Sequence, residues 1–471
     1  MCGCVNVRIM CTSYPHFTDQ NTSNRLMHTP LPSTIEQAIA HYATAAPNRT
    51  ALRLGEDRMT YAQLQQAIDN DSQRLGALQG QSVPFRATCS FDTVVRYFAI
   101  HRAGGVAVPL EKDFAESLFF QMQQQLAAKP CPQGTADLLF TTGTTGTPKG
   151  VMVSHRAMVA NADNLVEAQG YHPDLTFIVN GPLNHIGSLS KLYTTMLAGG
   201  TAYLLDGIKD FDAFFATVRA AEGMVATFLV PASIRLLMTF AADAWTEVAD
   251  SIEFVETGAA PLMQPDMERF CQLLPHARLF NTYASTETGI IATHNYNSDL
   301  CQSGCLGRPM RHSHLHINAA GHVVCSGDTL MTGYWDNPSL TAQLLTADGL
   351  VTNDVGSLDA EGRLMLQGRN DDVINVGGFK VAPTEVEEQV LASGMVRDCI
   401  CTPFAHPVIG TAVRLLVVVA PQTDFNKRAL LLWLKERLET YKLPQRIEVV
   451  DHIERTKNGK LNRKFYGCKG S

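Results

Sequence analysis

No apolar run in this sequence approaches the roughly 20 residues that a membrane-spanning helix requires. The longest, Val225 to Ala232 and Leu415 to Ala420, fall far short, so no membrane span is expected. A basic excess is also missing. Net charge is −7 over 471 residues, whereas a chain built to neutralise nucleic-acid phosphates carries the opposite sign. No nucleic-acid partner is expected, and any anion must be held by local devices. Met1 to Asn24 has neither a continuous apolar h-region nor a small-residue cleavage site, so it does not read as a secretory signal. It reads as a loose extension, residues 1–26, with Met27 as an alternative start. The 12 cysteines are scattered rather than spaced as a disulfide framework, which predicts reduced thiols and a cytoplasmic setting. No period of about 20 to 50 residues repeats.

What is present is the composition of an ordinary globular protein, with 45% apolar and 18% charged residues, 35 Gly and 22 Pro. Disorder, collagen and coiled coil are thereby excluded. At about 150 residues per domain the length fits two or three units. Pro32 to Ala45 sets Ile35, Ala38, Ile39 and Tyr42 at helical spacing behind Ser33 as N-cap. Thr50 to Leu54 with Thr60 to Tyr61 predicts a hairpin, and Tyr61 to Leu78 a helix. A strand–helix–strand rhythm then runs from Thr88 to Phe240. That alternation predicts a large α/β domain with mostly parallel sheets over 27–370. Beyond Gly307 the elements shorten. After Arg369 a helix (Pro383 to Leu391), strands (Asp398 to Thr402, Ala412 to Val419), a helix (Lys427 to Leu438) and a strand (Ile447 to Val450) predict a small α+β domain over 371–471.

Cys301 and Cys305 precede His312, His314 and His316, all of them ligand types for a tetrahedral metal. The histidines alternate, however. On a strand they share one face, with the cysteines across a Gly-containing turn, so a polar face with incidental thiols is expected there.

Leu138 to His155 reads LLFTTGTTGTPKGVMVSH. Glycines admit backbone N–H groups close to an oxyanion, threonine hydroxyls add donors, and Lys149 supplies a point charge for phosphate. A strand before the loop and a helix from about His155 predict a phosphate cradle. A Walker A loop needs Gly before the lysine and Ser/Thr after it; here Pro148 precedes Lys149 and Gly150 follows. That reading fails.

The segment instead resembles the signature loop of adenylate-forming enzymes, the superfamily of acyl-CoA synthetases, luciferase-like enzymes and peptide-synthetase adenylation domains. Further segments resemble that family in the same order. The resemblance implies phosphate contacts from Thr141, Thr142, Gly143, Thr144, Thr145, Gly146, Thr147 and Lys149. GPLNHIGSLS places Pro182, His185 and Gly187 beside an acyl pocket, completed by Ala259, Tyr283 and Ala284. TGAAPL lays Gly258, Ala259, Ala260 and Pro261 along adenine. In TYASTETG, Thr282 and Tyr283 pack on adenine, Thr286 touches the α-phosphate and Glu287 holds Mg²⁺, a hard ion suited to bridging phosphates. Ala284 stands where the family carries Gly. Thr352, Asn353 and Asp354 occupy the ribose-binding position, where Asn suits a left-handed backbone. GRNDDVINVGGFKVAPTEVE gives Arg369 to ribose or phosphate, Asp371 to an interdomain hinge, and Gly377 and Gly378 to the side facing the thiol acceptor. RTKNGKLNRK supplies the catalytic Lys460, acting with His185, Thr286, Glu287 and Lys149.

By this resemblance the chain activates a carboxylic acid with ATP and passes it to CoA. Alternatives are transfer to the phosphopantetheine of an acyl carrier protein, a succinylbenzoate-type CoA ligase, or a nucleotide binder without catalysis. Retention of Lys149, Glu287, Asp354, Arg369 and Lys460 argues against the last. Gly181 to Ser190 holds no acidic residue to pair with a substrate ammonium. Only 27 residues separate Leu110 from Leu138, fewer than in relatives, and a monomer or homodimer is expected.

Overall fold

The computed structural model describes residues 31–141, 148–208, 210–297, 300–369, 372–376, 379–406, 410–421, 423–456 and 461–467. The extension 1–26 and the hinge candidate Asp371 lie outside them. The elements below belong to the compact unit Ser33–Ser471.

The largest sheet has nine strands, ordered Arg308–Pro309, Gly289–Asn295, Arg278–Ser285, Ile252–Gly258, Met224–Phe228, Leu175–Val179, Thr201–Leu204, Thr50–Leu54 and Asp57–Thr60. Its interior pairs are parallel and its two ends antiparallel. This is the pattern expected when helices cross between strands and cover both faces. A second sheet orders Gly333–Tyr334, Lys149–Ser154, Thr135–Thr141, Val106–Leu110 and Ser82–Arg86. One apolar cluster fills the space between the two sheets, taking Tyr97 and Phe98 from the helix Phe91–Arg102 and Leu192 and Tyr193 from Ile186–Ala198. A third, antiparallel sheet carries Ser313–Ile317, His322–Gly327, Gly349–Leu358 and Leu364–Arg369. Residues 374–447 close a separate core around Val386, Val413, Leu415 and Leu430. The whole is α/β, with a large N-terminal and a small C-terminal domain.

Several local expectations shift. Thr34, not Ser33, occupies the first helix's N-cap, while Ser33 N–H bonds Gln37 Oε1 at 2.8 Å. Tyr61 opens a helix instead of ending a strand, because Thr60 and Gln63 form a reciprocal capping box. The interval after Leu110 still holds a helix, Glu116–Ala128. Of the alternating histidines, His314 and His316 share the exposed face of a strand. His312 precedes that strand and bonds Asp163 at 2.8 Å, and Cys305 is buried in a different apolar cluster.

Candidate active site

Lys149 is placed by a hairpin. Lys149–Ser154 runs antiparallel to Thr135–Thr141, with Thr141 registered opposite Lys149. Val151, Met152 and Val153 are buried, a continuous apolar run that suits a strand covered on both faces. The expected strand and the helix from His155 are both present, with the strand Lys149–Ser154 between the loop and the helix. The helix His155–Leu165, capped by Ser154, starts at the far end of a strand about 20 Å long. Thr142, Gly143, Thr144, Thr145, Gly146 and Thr147 lie outside the described residues, as do Lys460, Gly377 and Gly378.

Glu287 stands at the tip of the hairpin joining Arg278–Ser285 to Gly289–Asn295. Reciprocal Ser285 and Thr288 hydrogen bonds at 3.0 Å lock this turn. Gly289 sits at φ +68°, where a Cβ would meet the Thr329 carbonyl at 2.4 Å, so no other residue fits there. Thr286, on the same tip, is half-buried. Tyr334 donates its hydroxyl to Glu287 Oε1 at 3.1 Å, and Lys149 Nζ lies 5.7 Å from the Tyr334 ring centroid. Burial and the Glu287 charge both push the Tyr334 phenol up, so it is a neutral donor. Tyr334 thus joins two expected residues that are 138 positions apart in sequence. The sequence reading missed it. It lies on the short strand Gly333–Tyr334, which pairs with Met152 and Val151.

A second group involves Tyr283, four residues before Glu287 on the same hairpin. Tyr283 donates to Asp354 Oδ2 at 2.7 Å, and Arg369 Nε lies 3.4 Å from Asp354 Oδ1. Asp354 and Arg369 are cross-strand partners, which explains how positions 15 apart meet. Burial first, then the Asp354 carboxylate, pushes the Tyr283 phenol up. Tyr283 is 8% exposed and packs with Val323 and Cys325, whereas Ala284 is exposed. Of the four acyl-pocket candidates, His185, Ala259, Tyr283 and Ala284, Tyr283 is thus bonded to Asp354, and its neighbour Ala284 is exposed. Thr282 is turned inward, its hydroxyl bonded to Thr293 and Gln169.

Asn353 lies within the strand Gly349–Leu358 without a positive φ; among the described non-glycine residues only Gln79, Ala259 and Asp336 have one. The left-handed strain sits instead at Ala259, φ +66°, where the chain leaves the strand Ile252–Gly258 for Ala260 and Pro261. Gly258 is packed against its neighbour, since a Cβ would lie 2.9 Å from the Thr282 carbonyl. His185 is the N-cap residue of Ile186–Ala198 and is half-buried. Six residues further along that helix, Lys191 Nζ bonds Glu256 Oε1 at 2.7 Å, with the side chains 3% and 0% exposed. Burial lowers the Lys191 pKa against the pull of Glu256. No local signal in the sequence marks this pair, whose members lie 65 positions apart.

Glu287 offers a hard oxygen donor at a half-exposed tip, chemistry that fits a magnesium ion arriving with nucleotide phosphates. Among the described residues the one cluster with metal-ligand geometry is Glu36, His101 and His155. There His101 Nδ1 is bonded to Glu36 and Nε2 to Asp137, and these carboxylates raise its pKa to about 10 despite burial. An imidazolium has no lone pair to give a metal.

Two family models match the chain: AMP-binding enzyme over residues 111–335 and AMP-binding enzyme C-terminal domain over 385–460. Among curated relatives, tyrocidine synthase 2 of Brevibacillus parabrevis is 28% identical over 92% of this chain and 14% of its own length. Indoleacetate–CoA ligase of Aromatoleum aromaticum is 28% identical over 70% of this chain and 66% of its own length. The chain thus spans less than two thirds of either relative. Among solved structures, ATP-bound MatB from Rhodopseudomonas palustris matches with TM-score 0.82 at 22% identity, covering 92% of this chain and 99% of that one. The o-succinylbenzoate CoA synthetase of Bacillus subtilis gives 0.78 at 22% identity, covering 92% and 98%. These structures share the fold.

Proposed function

The chain belongs to the AMP-binding enzymes, and on that premise we propose that it is an ATP-dependent carboxylic acid:CoA ligase working through an acyl-adenylate. The observation that carries this reading is that one hairpin, Arg278–Ser285 with Gly289–Asn295, contributes a member to each of two polar groups, Tyr283 to one and Glu287 to the other. Tyr283, Asp354 and Arg369 form one; Lys149, Tyr334 and Glu287 form the other. The first suits a ribose, whose hydroxyls donate to a carboxylate already oriented on both oxygens. The second presents a cation and a carboxylate where a polyphosphate would continue.

In the proposed first step an oxygen of the acid attacks the α-phosphorus of ATP, the bond to the β-phosphate oxygen breaks, and pyrophosphate leaves. Both reactants are anionic, so positioning and charge neutralisation carry the catalysis. Lys149 and Lys460 supply positive charge, Thr286 a hydroxyl donor, and His185 lines the entry for the acid. Magnesium, bound with ATP and held by Glu287, would offset the phosphate charge. In the second step a thiolate attacks the acyl carbon and AMP leaves. For this the small domain turns about Asp371, withdrawing Lys460 and bringing Gly377 and Gly378 to the thiol channel.

Transfer to a carrier-protein phosphopantetheine is the second reading. It is supported by the match to tyrocidine synthase 2, which extends over 92% of this chain against 70% for the indoleacetate ligase. The experiment is a panel of aryl, short, medium and long acids with ATP, offered CoA or a phosphopantetheinylated carrier, with mass spectrometry for thioester. Acyl-CoA supports the first reading and loaded carrier the second. Nucleotide binding without pyrophosphate release for any acid would overturn both.

A further inference from the structure

The strand Lys149–Ser154 lies between Thr135–Thr141 and the edge strand Gly333–Tyr334. Successive residues of a strand point to opposite faces. One face carries Leu139, Val151 and Tyr334 in a row, with Lys149 beyond them, on the side where Tyr334 reaches Glu287. The opposite face carries Phe140, Gly150 and Trp335. Phe140 is registered with Gly150, and the Trp335 N–H donates to the Gly150 carbonyl at 2.8 Å. This is the last row before the phosphate loop, because the next pair is Thr141 with Lys149.

Trp335 ties that row together. Its ring meets the Phe140 ring edge-on, with centroids 6.2 Å apart at 81°. Gly150 makes room for it: a Cβ there would lie 3.2 Å from Trp335 Cβ and 3.3 Å from the Phe140 ring. The indole Nε1–H donates to the Lys129 carbonyl at 2.8 Å, and the Lys129 ammonium pairs with the Asp336 carboxylate. Asp336 has a left-handed backbone, φ +55°, a conformation that persists where surrounding contacts over-determine it. A strand of only two residues adds few ladder bonds, so its side-chain contacts decide where it sits. Tyr334 and Trp335 are chain neighbours on opposite faces. A shift of Trp335 therefore moves the Tyr334 hydroxyl relative to Glu287 and its ring relative to Lys149 Nζ.

We propose that Trp335 is a positioning residue for ATP. By joining Phe140, Gly150 and Lys129 it fixes both ends of the phosphate loop and the placing of Lys149 against Glu287. It thereby sets the hold on the phosphates beyond the α-phosphate, where positioning carries the chemistry. The nucleoside end is served by Tyr283, Asp354 and Arg369, which belong to the other two sheets. The effect of Trp335 therefore falls on the polyphosphate and not on the nucleoside. This inference deepens the adenylation reading and rests on it for the assignment of Lys149 and Glu287 to ATP.

Calorimetry on the full-length protein measures Mg·ATP and AMP separately, with folding checked by thermal melting. Trp335→Ala should weaken Mg·ATP by about fivefold or more, on the scale of one neutral hydrogen bond, and leave AMP within about twofold. Trp335→Phe keeps a ring against Phe140 and loses the Nε1 donor, so its Mg·ATP affinity should fall between wild type and Trp335→Ala. Equal weakening of the two nucleotides would mark a merely structural tryptophan and overturn the proposal, as would unchanged Mg·ATP affinity in both variants. Should Trp335→Ala melt below the assay temperature, the ratio of the two affinities in Trp335→Phe decides by the same criterion. Wild-type protein that binds neither nucleotide would overturn both this inference and the adenylation reading. Nucleotide binding without pyrophosphate release for any acid would overturn the ligase reading alone, while the ratio of Mg·ATP to AMP affinity still decides the role of Trp335.

Discussion

The Tyr283 hydroxyl donates to Asp354 Oδ2 at 2.7 Å, joining two strands of different sheets across 71 residues of sequence. With Arg369 on the other oxygen, the carboxylate is oriented before any ligand arrives. Such preorganisation lowers the ordering cost of binding.

Removing that hydroxyl should therefore weaken nucleotide binding more than it destabilises the fold. A hydrogen bond to a charged group contributes about 1.5–3 kcal/mol, and part of this persists through Arg369. Tyr283→Phe should weaken ATP by about tenfold, or about 1.4 kcal/mol, measured by calorimetry. Affinity within twofold of wild type would mean that Asp354 is oriented by other contacts.

Tyr334 and Glu287 should behave as one unit. Tyr334→Phe removes the 3.1 Å bond to Glu287 and should raise the Mg·ATP half-saturation several-fold; Glu287→Gln should raise it further. Because the two residues share one interaction, their effects should fail to add by about 0.5–3 kcal/mol in a double-mutant cycle. Strict additivity would separate Tyr334 from the proposed metal site.

These pairs also show where sequence reasoning stops. The alternation of Leu175–Val179, Ile186–Ala198 and Thr201–Leu204 was legible, since periodicity and glycine punctuation are local. The strand after Lys149 was not: Val151 to Val153 is too short to announce itself, and its partner is fixed by the hairpin. Tyr334 and the Lys191–Glu256 pair escaped for a different reason. No periodicity marks a lone tyrosine or two opposite charges far apart in the chain, and only the packing of helix on sheet brings them together.

Stability should fall from neutral toward alkaline pH because of one buried histidine. Burial alone would depress His101, but Glu36 and Asp137 raise it to about 10 from 6.5. Its folded pKa lies above the unfolded value, so its contribution is complete below pH 6.5 and is lost as pH rises toward 10. This one group contributes a slope of up to about 1.4 kcal/mol per pH unit in that window. Urea unfolding at several pH values should show the slope in the wild type and a flatter profile in His101→Gln. Identical slopes would rule out the assignment.

Ala259 holds a left-handed backbone at φ +66°. That conformation costs an alanine about 1–2 kcal/mol, while glycine loses about 0.4–1 kcal/mol through the unfolded chain. Ala259→Gly should accordingly stabilise by about 0.5–1 kcal/mol in urea titration, and Ala259→Val should destabilise. A less stable glycine variant would indicate that the Ala259 methyl packs favourably enough to outweigh the strain.

Arg235 links the large domain to the small one. Its guanidinium bonds Asp266 at 2.6 and 2.9 Å and lies 3.9 Å from Asp398 on the strand Val396–His406. Asp398 in turn takes two bonds at 2.8 Å from Arg455, and Arg455 bridges to Leu461. The proposed rotation about Asp371 would have to break the Arg235–Asp398 contact while leaving Arg235–Asp266 and Asp398–Arg455 intact, because each of those lies within one domain. A partly exposed pair at this distance contributes about 0.2–1 kcal/mol. Arg235→Gln should therefore shift the balance of domain orientations by no more than about fivefold, visible as a change in the distance distribution between fluorophores on the two domains. Raising the salt should move the wild type in the same direction, since screening weakens the same contact. Asp398→Asn should have the larger effect, since it loosens the latch and the Arg455 anchor of the Lys460 segment at once, and adenylation should slow with it. A distance distribution unchanged in Arg235→Gln and in high salt would show that the latch does not hold this orientation.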